Sequence, residues 1–409
     1  MSIANSPKVA TFPTDLSLEY VGFDHVHWYV GNPKQAASYY ITRMGFAPIA
    51  YRGPETGSQF LASYVVANGA AVFVLTGPVC EPLGDEKNNV LQHATEEQRA
   101  TLAAIHEHLT RHGDGVKDVA FQVTGTIENI WKRAIESGAV AISEPETISV
   151  DKMGHITTAT IGTYGDTVHS LVNREHYRSN APFLPGYRTI DVNGDPINRI
   201  LPAIEFIEID HCVGNQSWGG LDRILKYYED CLDFHRYWTV DDKAMCSEYS
   251  AMRSIVVASP NETIKMPMNE PATGMKKSQI EEFVDYYHGA GVQHIAFRTH
   301  DIVNAVTNLK ARGVQFLQVP SAYYEDLRQR LSKVSWTLAA DLDVLERLNV
   351  LVDFDERGYL LQIFAKHIGD RPTVFVEVIQ RSDFDGFGAG NFKSLFEAFE
   401  REQALRGNL

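Results

Sequence analysis

The chain has 409 residues, with 37 Lys and Arg against 52 Asp and Glu for a formal charge of −15, and 44% of it is apolar. That length predicts two or three globular domains, and the acidic balance repels phosphate backbones and anionic membrane surfaces, which argues against nucleic acid and lipid as partners. Four cysteines (Cys80, Cys212, Cys231, Cys246) without a Cys-x-x-Cys pair predict neither a disulfide frame nor a structural zinc, and no leader or membrane-spanning run is visible, so a cytoplasmic address is expected.

Taken in chain order, the elements repeat. Phe23-Asp24-His25-Val26 opens a first strand. Asn32 is a good N-cap, Pro33 suits a first helical turn and Gly45 a left-handed stop. Residues 60–66 and 70–75 read as strands around an Asn68-Gly69 hairpin signal. A helical insertion is predicted over 95–112, capped by Thr95 and followed by acidic Glu96 and Glu97. Gly115-Val116-Lys117-Asp118-Val119-Ala120-Phe121 then opens a second module whose helix stops at Gly138. The irregular stretch 175–202, with Pro182, Pro185, Gly186, Gly194 and Pro196, reads as a linker between domains. Beyond it the plan returns. Ile209-Asp210-His211-Cys212 matches the first opening, with strands at 251–258 and 263–268, and Gly291-Val292-Gln293-His294-Ile295-Ala296-Phe297 matches the second, its helix stopping at Gly313. A second insertion is expected between these paired modules at 324–348, and residues 392–405 carry apolar residues at helical spacing. The prediction is an α+β chain of four βαβββ modules, paired as domains over 18–178 and 203–385 with a C-terminal helix in 386–409.

Glu377 is the chemical anomaly. It stands in the apolar run Val374-Phe375-Val376-Glu377-Val378-Ile379, where an unpaired buried charge is costly. A salt bridge or a partly exposed strand end would satisfy it, and so would a metal. His211 ends an apolar face formed with Ile207 and Ile209, and His294 sits in a short apolar strand. Either alone is more readily structural than a ligand. Two histidines on opening strands and a carboxylate on a closing strand of the same half form a facial triad of the kind that holds non-haem Fe(II). The aligned positions of the first half are His25, Asp118 and Ser170, which reads as a scaffold without the metal site, so one iron per chain is expected.

The module order resembles the vicinal oxygen chelate superfamily. The motifs Ile209-Asp210-His211, Gly291-Val292-Gln293-His294-Ile295-Ala296, Leu361-Gln362-Ile363-Phe364, Glu377-Val378-Ile379-Gln380-Arg381 and Gly386-Phe387-Gly388-Ala389-Gly390-Asn391-Phe392 resemble the 4-hydroxyphenylpyruvate dioxygenase family. The resemblance covers nearly the whole chain. It implies that the C-terminal domain is an open barrel around Fe(II) held by His211, His294 and Glu377. It places a polar catalytic set on Ser254, Asn269, Gln279, Gln293 and Gln362, and a substrate-binding set on Val213, Pro267, Phe364, Phe375, Phe387, Asn391 and Phe392. It makes the last helix a lid over the site and the protein a homodimer. The implied reaction converts 4-hydroxyphenylpyruvate and O2 to homogentisate and CO2 in tyrosine and phenylalanine catabolism. Two alternatives stand beside it: a 4-hydroxymandelate synthase, and a binding protein that holds a small aromatic compound without turnover.

Overall fold

The structure is a computed structural model describing residues 20–81, 94–191, 195–239 and 251–408; Cys246 and Gly194 lie outside them. The first half runs β1 (Tyr20–Tyr29), α1 (Pro33–Met44), β2 (Ala47–Arg52), β3 (Leu61–Asn68), β4 (Ala71–Pro78), α2 (Glu96–His112), β5 (Gly115–Val123), α3 (Ile127–Glu136), β6 (Val140–Val150), β7 (Gly154–Gly162), β8 (Val168–Asn173) and a short β9 (Arg188–Thr189). The second half runs β10 (Glu208–Asn215), α4 (Leu221–Leu232), β11 (His235–Thr239), β12 (Ala251–Ala258), β13 (Lys265–Ala272), α5 (Gln279–Tyr287), β14 (Gly291–Arg298), α6 (Ile302–Ala311), α7 (Ser321–Leu331), α8 (Leu342–Leu348), β15 (Leu351–Phe354), β16 (Tyr359–Phe364), β17 (Phe375–Ser382) and α9 (Phe392–Arg406). Strand, helix and three strands recur four times. The modules pair into a nine-stranded sheet, β6-β7-β8-β5-β1-β4-β3-β2-β9, and an eight-stranded half-barrel, β11-β12-β13-β10-β14-β17-β16-β15.

Local chemistry fixes the helix ends. The Asn32 side chain accepts the Gln35 N–H and Gly45 closes α1 at φ 71°, while Thr95 and Gln98 form a reciprocal capping box at the start of α2. The hairpin forms, but its two turn residues are Gly69 and Ala70. Asn68 stays in the strand because its side chain bridges Ile204 O and Phe206 N at the entry to the second half.

The second insertion differs from expectation. Residues 324–348 fall inside the fourth module, between α6 and β15, and make two helices, α7 and α8. Asp341 starts the second of them by capping the Asp343 N–H. The element lying between the paired modules is α5, the counterpart of α2. One apolar core spans both halves, joined by Phe46, Phe73, Phe206 and Phe297, with Phe206 stacked on Phe297 at 4.7 Å. Burying four such rings supplies roughly 1.5–3 kcal/mol each, so the halves are held as one body.

Candidate metal centre

Two β-bulges build the site. On β10 the register against β14 jumps from Ile209 opposite Phe297 to His211 opposite Ala296, leaving Asp210 as the extra residue. On β14 it jumps from His294 opposite Val213 to Val292 opposite Gly214, leaving Gln293 extra. Alternation alone puts Ile209 and His211 on one face; the bulge separates them, sending Ile209 into the common core and His211 into the half-barrel. Each bulged residue then hydrogen-bonds the histidine that follows it: Asp210 Oδ2 meets His211 Nδ1 at 2.7 Å, and Gln293 Oε1 meets His294 Nδ1 at 3.0 Å. Both Nδ1 atoms are thereby donors, and both Nε2 lone pairs are left to converge on Glu377.

Glu377, on the neighbouring β17, is 2% exposed. Its Oε2 lies 3.2 Å from His211 Nε2 and 3.4 Å from His294 Nε2. One buried carboxylate with two imidazole nitrogens beside it is a donor set that fits a divalent transition metal, and the oriented Nδ1–H groups are the usual support of such ligands. Burial raises the Glu377 carboxyl, but in the metal-free site hydrogen bonds and charge from the two histidines, when protonated, outweigh this and hold it low. Burial pushes His294 down. His211 rises despite burial, because Asp210 and Glu377 both face it.

Asp210 is itself clamped. Arg381 reaches it through Nε at 2.8 Å and a terminal nitrogen at 2.9 Å, and donates to the carbonyls of Phe384 and Gly386. The guanidinium lies 5.2 Å from the Phe387 ring, which packs at 5.3 Å against His211. Metal ligand, clamp and the 384–388 turn are one connected unit.

Beside the triad is a cavity lined by Val213, Ser254, Pro267, Asn269, Gln279, Gln293, Gln362, Phe364, Phe375, Phe387 and Phe392 together with His294 and Glu377. Met252, Val256 and Leu395 also line it and had no distinguishing signal in the sequence. Gln293 Nε2 donates to Gln279 Oε1 at 2.9 Å, and Asn269 Nδ2 to Asn215 Oδ1 at 3.2 Å. Phe375 stacks on His294 at 4.7 Å. Gly388, at φ 76°, lets the chain cross Gln362; a Cβ there would sit 2.2 Å from its Nε2. Asn391 does not line the cavity: after the Gly388 turn it is fully buried and accepts a hydrogen bond from Tyr323.

The first half repeats the frame without the triad. Asp24 is the bulged residue, bonded to His25 Nδ1 at 2.6 Å and clamped by Arg174, whose guanidinium lies 5.0 Å from Phe183. Asp118 pairs with His27 as His294 pairs with Val213, and its carboxylate is absorbed by Ser170 N and Oγ at 2.9 and 2.5 Å. The clamp is duplicated, and the ligand set is not.

Comparison with known proteins agrees with this plan. A profile described as the Glyoxalase/Bleomycin resistance protein/Dioxygenase superfamily matches residues 208–363. The chain is 67% identical to the "Probable 4-hydroxyphenylpyruvate dioxygenase 2" of Aspergillus fumigatus over all of both chains. It is 55% identical to a 4-hydroxyphenylpyruvate dioxygenase of the same fungus, covering 100% of this chain and 99% of the relative. Among solved structures, a mutant 4-hydroxymandelate synthase from Streptomyces coelicolor superposes with a TM-score of 0.76 at 28% identity, covering 94% of this chain and 99% of that one.

Proposed function

The chain belongs to the 4-hydroxyphenylpyruvate dioxygenase family, and from that premise we propose that it converts 4-hydroxyphenylpyruvate and O2 to homogentisate and CO2 at an Fe(II) held by His211, His294 and Glu377. The observation that carries the reading is the convergence of two Nδ1-anchored histidines and one buried carboxylate beside a single aromatic-walled cavity. Bound there, Fe(II) would supply a chelation point for the 2-oxo acid and a place for O2, with the electrons coming from oxidation of the substrate. A nine-carbon substrate and O2 carry the same atoms as homogentisate plus CO2, so no further oxidant is required.

The residues do the rest by position. With His294 Nδ1 a donor, Gln293 Oε1 must accept and Gln293 Nε2 must donate to Gln279 Oε1. This leaves the Gln279 amide NH2 as a donor available to the cavity. Asn269, Ser254 and Gln362 complete the polar lining that orients the substrate, while Phe364, Phe375, Phe387 and Phe392 hold the ring and keep water from the reacting carbon. Phe392 and Leu395 come from α9, so that helix closes the cavity. Among the described residues no helix is long and apolar enough to cross a membrane; the cytoplasmic address and the homodimer are part of the proposal, tested by fractionation and light scattering. The test of function is oxygen uptake with 4-hydroxyphenylpyruvate plus Fe(II), with chromatography of the product. Homogentisate supports the proposal; 4-hydroxymandelate, or no oxygen uptake, overturns it.

A further inference from the structure

A second cluster of metal-ligating side chains lies at the seam between the halves. His108 and His112 stand one turn apart on α2, both buried, and Asp166 faces them from the turn between β7 and β8. Asp166 Oδ2 is 2.7 Å from His108 Nδ1 and 3.6 Å from His112 Nε2. The Nδ1 of His112 bonds the backbone carbonyl of Tyr287, at the end of α5, and its ring stacks on the Tyr287 ring at 4.2 Å. That bond makes Nδ1 the donor and leaves the Nε2 lone pair facing Asp166, the same orientation logic as in the triad.

The nitrogens that face the carboxylate are His108 Nδ1 and His112 Nε2. Asp166 Oδ1 is buried and makes no hydrogen bond, a cost that a structure seldom carries without a use. The turn bearing Asp166 is held at Gly165, φ 58°, where a Cβ would approach the Ala290 carbonyl of the second half to 2.3 Å. The cluster therefore joins the first half to the segment that ends α5, whose other end is Gln279 of the cavity. Lys117 opposes a cation here: its Nζ is 3.7 Å from Asp166 Oδ2 and donates to the Asp166 carbonyl. Burial would raise the Asp166 carboxyl, but the His108 hydrogen bond and the nearby His108, Lys117 and His112 hold it down to about 2, so the carboxylate is ionised at neutral pH.

We propose that His108, His112 and Asp166 form a second metal site, distinct from the triad, that takes a borderline divalent ion such as Zn2+ through two nitrogens and one oxygen and pins α2 to the end of α5. A His pair at i, i+4 with one carboxylate suits tetrahedral Zn2+ with water as fourth ligand, and Asp166, whose side chain is 28% exposed, supplies the way in.

The test is equilibrium dialysis of the tag-free, iron-loaded full chain against Zn2+, with both metals counted by mass spectrometry. The expected result is one zinc per chain with the iron retained. Asp166→Asn should weaken zinc binding at least tenfold, and Lys117→Gln, which removes the competing cation, should tighten it about tenfold. Because the lysine variant moves affinity upward, misfolding cannot imitate it. His294→Ala should lower iron and keep the zinc. The proposal is overturned if zinc enters only as iron leaves, if no zinc is retained, or if Lys117→Gln and Asp166→Asn both bind zinc as the wild type does.

Discussion

The duplicated clamp allows one perturbation to be made twice in the same molecule. Asp210→Asn removes the charge that Arg381 and His211 share, and Asp24→Asn does the same to Arg174 and His25 in the first half. Each leaves a largely buried guanidinium without its carboxylate, Arg381 13% and Arg174 20% exposed. Removing one member of a buried pair costs about 3–5 kcal/mol, and remaining carbonyl contacts of both arginines place the expectation at the lower end. Both variants should therefore lose about 3 kcal/mol, which for a chain this large lowers Tm by about 3–4 °C. The melts are run on metal-free protein so that ligand linkage does not enter. The metal response should divide them. Asp210 orients His211, and loss of such a support weakens metal binding about 10–100-fold, whereas Asp24 supports His25, in a half where Asp118 and Ser170 stand at the other two positions and bond each other. Competition against a graded chelator reads this directly. Equal loss of metal affinity in the two variants, or none in Asp210→Asn, would refute the reasoning.

Three further outcomes are expected. Glu377→Gln should bring bound iron to background, abolish turnover and make the metal-free protein less stable at neutral pH, since the two histidines that hold this carboxyl low lose their partner; an unchanged or more stable apoprotein would contradict this. Phe392→Ala, which opens a wall shared with Met252, Ile280 and Phe396, should cost about 3 kcal/mol and lower kcat tenfold or more with iron content unchanged; parallel loss of iron and turnover would favour a purely structural role for the helix. His169 is fully buried between the Val119 carbonyl and the Tyr228 hydroxyl, and burial pulls it down to about 4 against about 6.5 in the unfolded chain. Its contribution is complete above pH 6.5 and is lost as pH falls toward 4, because the unfolded chain binds the proton first. Urea titrations should show His169→Gln with an acid limb flatter by about 2 kcal/mol between pH 6.5 and 5; superimposable slopes would contradict it.

Much of this architecture is legible in the sequence. The repeat exposed the four modules, since an opening strand and a helix recur in each, the helix stopping at a glycine in three of them (Gly45, Gly138, Gly313) and at Asp233 in the other, and Glu377 stood out because a carboxylate is expensive in an apolar strand. What the sequence hid was the pair of bulges. A period of two predicts one face for Ile209 and His211, and nothing in the one-dimensional pattern says that Asp210 and Gln293 are extra residues, although a polar residue immediately before each histidine is the trace they leave. Asn391 was carried by its motif toward the substrate, whereas the left-handed turn at Gly388 turns it to Tyr323. The seam cluster was beyond reach because His108 and His112 meet Asp166 only through tertiary packing.

The most direct measurement is product analysis after the iron-loaded protein turns over 4-hydroxyphenylpyruvate under 18O2. Homogentisate carrying two labelled oxygens is expected, formed in equal amount with CO2 and lost in Glu377→Gln. Labelled 4-hydroxymandelate, or turnover that survives Glu377→Gln, would contradict this expectation.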